Sequence, residues 1–95
     1  NNCIKAWRGI GWCSFISQKH EQAMKYYEKI IEQKPLAIDY MNAGHVAWVM
    51  GDIQKASVFY GKAITASGNR ERFLEMFHKD EEALSHKEFG KKIFL

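Results

Sequence analysis

The chain has 95 residues, of which 46% are apolar and 26% charged, and a single proline. That length allows one domain or part of a larger one, with about two-thirds of the unfolded surface buried on folding. The composition excludes a disordered or collagen-like chain. No uncharged run approaches the ~18 residues that a membrane-spanning helix needs, and Asn1 to Lys5 do not begin a signal peptide.

Charge is interleaved rather than striped. The net charge is +3, and all of it falls in residues 4–36; residues 37–69 are neutral, and residues 70–95 carry six groups of each sign. A nucleic-acid binder shows a dense basic stripe, so no nucleic-acid partner is expected. The two cysteines, Cys3 and Cys13, are ten residues apart. On one helix that is ~15 Å along the axis, beyond the ~7 Å that a disulfide spans. Reduced thiols imply an intracellular, cytoplasmic setting. The sequence lacks an initiator methionine, which leads us to expect a segment of a longer protein with its targeting signals elsewhere.

Apolar spacing is helical throughout. Ile4, Trp7, Ile10, Gly11, Ser14 and Phe15 form the first run, and Ala23, Tyr26, Tyr27, Ile30 and Ile31 the second. Tyr40, Ala43, Gly44 and Ala47 follow, then Ala56, Phe59, Tyr60, Ala63 and Ile64. Breaks fall at Ser17 to His20, at Pro35, at Gly51-Asp52 and at Ser67-Gly68-Asn69. Pro35 cannot continue a helix, while Asp52 and Asn69 are helix-capping acceptors after helix-ending glycines. Asp80, Glu81 and Glu82 read as a further helix start. The expected helices are 3–17, 20–33, 36–50, 53–66, 70–78 and 81–89.

Eight residues of the first two helices have counterparts 33 residues later. Trp7, Ile10 and Gly11 correspond to Tyr40, Ala43 and Gly44; Ala23, Tyr26, Tyr27, Ile30 and Ile31 correspond to Ala56, Phe59, Tyr60, Ala63 and Ile64. Repetition at this period marks a stack of helix pairs. The sequence resembles the tetratricopeptide repeat family. One copy reads Trp7-x-x-Ile10-Gly11, Ala23-x-x-x-Tyr27 and Pro35; the next reads Tyr40-x-x-Ala43-Gly44 and Ala56-x-x-x-Tyr60. Ser14 and Ala47 stand where the family has tyrosine, the turn after Pro35 is one residue short, and Gly68 ends the second copy.

The resemblance implies an all-α solenoid of antiparallel helix pairs, about six helices in a single domain spanning 1–95. Residues 4–36 are repeat one, 37–69 repeat two, and 70–95 a degenerate third repeat or end cap. In that third unit Phe77 replaces the packing glycine, the 70–78 helix is too short for a full first helix, and Phe73, Leu74, Met76 and Phe77 cover the end of repeat two.

No catalytic, cofactor or metal constellation is legible. His20, His45, His78 and His86 lack a zinc spacing. Asp80, Glu81 and Glu82 serve helix electrostatics, Cys13 has no identifiable base, and Gly9-Ile10-Gly11 lacks the strand and third glycine of a dinucleotide loop.

The resemblance implies instead a non-enzymatic protein-interaction module whose first helices line a concave groove. Trp12, Phe15, Met41 and Trp48 would line it, with Lys5, Arg8 and His45 at its edge and Asn42 beside it. Apolar anchors would hold a peptide or partner helix while the polar groups orient it. The face of Glu21, Lys25, Glu28, Lys29 and Glu32 is expected to be solvated. One subfamily clamps terminal carboxylates with lysine and asparagine; Arg8 and Asn42 suit that pattern, but Trp12 and His45 do not, so no such clamp is expected. The alternatives are a structural stacking or self-association segment of a longer solenoid, or a regulatory module attached to another domain.

Overall fold

The computed structural model describes residues 2–84, with side-chain detail for residues 3–79. Five helices follow one another: α1 (Asn2–Ile16), α2 (His20–Glu32), α3 (Ala37–Val49), α4 (Ile53–Ser67) and α5 (Arg70–Leu84). Each packs against the next, and the first helices α1, α3 and α5 also touch in succession. This is the helix-pair stack expected from the repetition.

The helix ends repeat as faithfully as the helices. After α1, the Lys19 N–H donates to the Ser14 carbonyl at 2.8 Å and the Gln18 N–H to the Phe15 carbonyl at 3.0 Å. After α3, the Asp52 N–H donates to the Ala47 carbonyl at 2.9 Å and the Gly51 N–H to the Trp48 carbonyl at 3.0 Å. Both are the double-bonded helix ending that needs a left-handed residue. Gly51 supplies it at φ 87°, whereas Gln18 adopts φ 66° with a full side chain. Asp52 then caps α4 by accepting the Lys55 N–H at 3.1 Å. Asn69 caps α5, its side-chain oxygen accepting the Arg72 N–H at 2.7 Å.

Within each repeat, glycine lets a tyrosine ring lie against the first helix. A Cβ on Gly11 would stand 3.2 Å from the Tyr27 ring, and one on Gly44 only 2.7 Å from Tyr60. Ala23, Ala43, Ala56 and Ala63 are fully buried, so the helix axes approach closely elsewhere too. The main core joins Ile4, Phe15, Met24, Tyr27 and Ile30 to Val46 and Phe59. A second cluster, Met41, Ala63 and Phe73, lies between repeat two and α5. A repeated cation–π contact decorates the outside: Lys29 Nζ lies 5.6 Å from the Trp7 ring, and Lys62 Nζ 6.0 Å from Tyr40. Lys29 therefore shields apolar surface as well as meeting solvent.

The helix break expected at Asp80 is absent. α5 runs continuously to Leu84 and is 15 residues long, the same as α1. Five helices are thus described rather than six, and the third first-helix is full length. No glycine or proline lies between Asn69 and Leu84, so nothing removes a helical hydrogen bond there, and Glu, Ala and Leu favour continuation. The remainder of the expected 81–89 helix, with His86, lies outside the described residues. Phe73 is buried, and Met76 and Phe77 are half-buried against repeat two; Leu74 stays 40% exposed.

Candidate functional site

The expected groove residues divide into two groups. Phe15, Met41 and His45 are core residues, 4%, 0% and 0% exposed. They cannot line an open groove, for a specific packing reason in each case. Phe15 belongs to the main cluster, with its ring 5.8 Å from both Trp12 and His20. Met41 is enclosed with Ala63 and Phe73. His45 is covered because α5 brings Phe77 over it at a ring separation of 5.3 Å. Its Nδ1 is 2.7 Å from the Tyr60 hydroxyl, which supplies the polar partner a buried imidazole requires. Tyr60, Phe73 and Phe77 complete an edge-to-face aromatic cluster around it.

Lys5 is exposed, while Arg8, Trp12, Asn42 and Trp48 are half-buried. Arg8 is already engaged. Its Nε and Nη2 donate to the two carboxylate oxygens of Asp39 at 2.8 and 2.9 Å. Asp39 is 1% exposed and also accepts the Leu36 N–H at 2.8 Å, closing the first turn of α3. The forked pairing raises the Arg8 guanidinium above its ordinary value, the hydrogen bonds leading, burial opposing and the Asp39 charge adding. The chain thus supplies its own carboxylate to the arginine that a carboxylate clamp would use. Asn42 keeps an enclosed side-chain oxygen that accepts no hydrogen bond among the described residues.

Lys5 and Arg8 meet in a hollow of about 400 Å³ between α1 and the α2–α3 turn, lined also by Ile4, Gln33, Lys34 and Leu36. Trp12, Asn42 and Trp48 lie outside its lining. Lys34 is exposed, and Leu36 exposes 55% of its surface. Neither was visible as a site residue from helical periodicity, because both sit in the turn that Pro35 creates. Their signal was the charge–proline–apolar sequence itself.

Among the described residues no group of three His, Cys, Asp or Glu side chains could hold a metal ion. No described helix is long and apolar enough to cross a membrane.

The tetratricopeptide repeat family model matches residues 4–35 and 40–70, the two helix pairs whose glycine–tyrosine packing and helix endings repeat in the structure. Neither the curated proteins nor the solved structures contain a significant match. Repeats of this kind form non-enzymatic protein-interaction modules. The match covers well over half of the sequence, and the chain belongs to the tetratricopeptide repeat family.

Proposed function

We propose that the chain docks a segment of a protein partner on the face shared by α1 and the start of α3. An acidic, partly apolar stretch of that partner enters the hollow between Lys5, Lys34 and Leu36. The hollow itself carries this reading: two exposed ammonium groups flank an exposed leucine in a concave setting. Apolar contact supplies affinity, and the lysines steer and orient an acidic segment. In this reading Trp12, Asn42 and Trp48 extend the surface along α1 and α3. Phe15, Met41 and His45 support it from beneath.

The test is binding of an array of acidic, leucine-containing peptides, read by fluorescence anisotropy. Reversing Lys5 and Lys34 to glutamate weakens the best binder about tenfold, or ~1.4 kcal/mol. Trp12→Ala and Trp48→Ala weaken it while helicity is kept, whereas Glu21→Lys on the outer face of α2 does not. Affinity unchanged by both the charge reversals and the tryptophan variants would remove the assignment. A second reading, a stacking segment of a longer solenoid, is favoured by the open face of α1.

A further inference from the structure

The hollow between α1 and the α2–α3 turn holds a third cation besides its two lysines. Lys5 and Arg8 stand three residues apart on α1, which puts them on one face of that helix. Lys34 reaches the same hollow from the turn, and no acidic residue lines it. Among the described residues the only carboxylate paired with these three cations is Asp39, bound to Arg8. Three positive groups and one negative leave the hollow with a charge of +2.

The pairing with Asp39 uses only one edge of the Arg8 guanidinium. Nε and Nη2 donate to the carboxylate, while Nη1 makes no hydrogen bond among the described residues. The side chain is 29% exposed and lines the hollow. A guanidinium carries five N–H donors in a fixed plane. Asp39 sets that plane, so the second edge meets an incoming anion with little further ordering. Lys5 and Lys34 are exposed, and neither is in an ion pair among the described residues.

We infer that the hollow receives a phosphomonoester, the side chain of a phosphoserine or phosphothreonine in a protein partner, with an apolar neighbour lying against Leu36. The inference rests on the docking of an acidic segment at this hollow and names the group that enters it. A phosphorylated side chain carries about −1.5 to −2 at neutral pH, which matches the charge of the hollow; a single aspartate or glutamate leaves a positive surplus. Its three terminal oxygens can meet Lys5, Lys34 and the second edge of Arg8 together, whereas a carboxylate offers two oxygens to three cations. The short serine or threonine stem keeps the adjoining residue near the wall formed by Leu36, which is 55% exposed.

The experiment uses the whole chain and the acidic, leucine-containing peptides, each made with phosphoserine, glutamate or serine immediately before the leucine, and reads binding by fluorescence anisotropy. The phosphoserine form binds at least about tenfold more tightly than the glutamate form. Lys5→Gln and Lys34→Gln, both at exposed positions and checked for helicity by circular dichroism, each shrink that preference about threefold. Serine in place of the peptide leucine weakens the phosphoserine form. Equal affinity for the phosphoserine and glutamate forms, both above serine, would overturn phosphate recognition and leave the docking of an acidic segment standing. No binding by any form of any peptide would remove both. A phosphoserine preference untouched by either lysine variant would overturn the site, and displacement of the peptide by an equal concentration of inorganic phosphate would overturn the peptide as occupant.

Discussion

Replacing Gly44 and Gly11 by alanine separates two effects that a glycine in a helix always combines. Alanine removes backbone freedom from the unfolded chain and favours the helix by about 1 kcal/mol. Against this stands the ring that each glycine admits. At Gly44 the new Cβ meets Tyr60 Cε1 at 2.7 Å and Cδ1 at 2.8 Å, nearly 1 Å inside the ~3.5–4.0 Å optimum for carbon contacts. The Tyr60 ring cannot retreat freely. Its hydroxyl is tied to His45 Nδ1, and its flanks meet Phe73 and Phe77 at 6.1 and 5.9 Å between centroids. With two contacts under 3.0 Å against a ring held on both sides, the cost lies in the upper part of the overpacking range, about 2–3 kcal/mol, so the balance is a net loss of about 1–2 kcal/mol once the helix gain is subtracted. At Gly11 the contact is 3.2 Å, and Tyr27 need give only a few tenths of an ångström; the two effects there cancel to within about 0.5 kcal/mol. Thermal melts read the difference at roughly 4–8 °C per kcal/mol for a chain of this size. The sharper test is Gly44→Ala in a Tyr60→Ala background. With the ring gone, alanine stabilises by about 1 kcal/mol, and the sign of the effect inverts. A Gly44→Ala variant as stable as the original, or one harmed equally whether or not Tyr60 is present, would refute the ring-contact argument.

Two further predictions concern the helix end and the ion pair. Gln18→Gly places glycine where Gly51 stands in the next repeat and relieves a left-handed residue, raising stability by about 1 kcal/mol in urea unfolding; Gly51→Gln lowers it by a similar amount. Asp39→Asn leaves Arg8 without its forked partner and weakens the closing bond of α3, costing about 1–3 kcal/mol after allowance for the 29% exposure of the arginine side chain. The raised Arg8 value fixes the alkaline behaviour. A group held higher in the folded state contributes fully at every pH below its unfolded value, which for an arginine lies above ordinary alkaline titration, and loses that contribution only as pH climbs through the folded value. The stability difference between the original chain and Arg8→Gln therefore stays constant across ordinary alkaline titration, and a decline below pH ~11 would contradict the pairing.

The residues that set the architecture were readable because each acts within a turn or two of its neighbours. Gly11 and Gly44, Ala23 and Ala56, Tyr27 and Tyr60, and the caps Asp52 and Asn69 all repeat or punctuate at fixed spacing. The groove was less readable because periodicity assigns a residue to a side of its helix without saying what covers that side. Periodicity alone puts Met41 and His45 on the free side of α3, and α5 closes over both with Phe73 and Phe77. His45 looked like a rim residue because it is polar, but the Tyr60 hydroxyl that lets it be buried comes from another helix. Asp39 could have been seen as a third-position acid closing the start of α3; that its other partner is Arg8, 31 residues away, is a tertiary fact. The acidic run at Asp80 to Glu82 misled because acids suit a helix start without creating one when no residue interrupts the preceding helix.

The Asp39 carboxylate has a mechanical consequence. One of its oxygens holds both the Leu36 amide that starts α3 and the Arg8 of α1, so the first turn of repeat two and the strut between repeats share a single fastening. Fraying of that turn therefore also loosens a contact between the two repeats, and a wound α3 start holds Arg8 in place. A local helix–coil fluctuation at Leu36 is thereby coupled to the seam between α1 and α3, while the α2–α3 core continues to join the repeats.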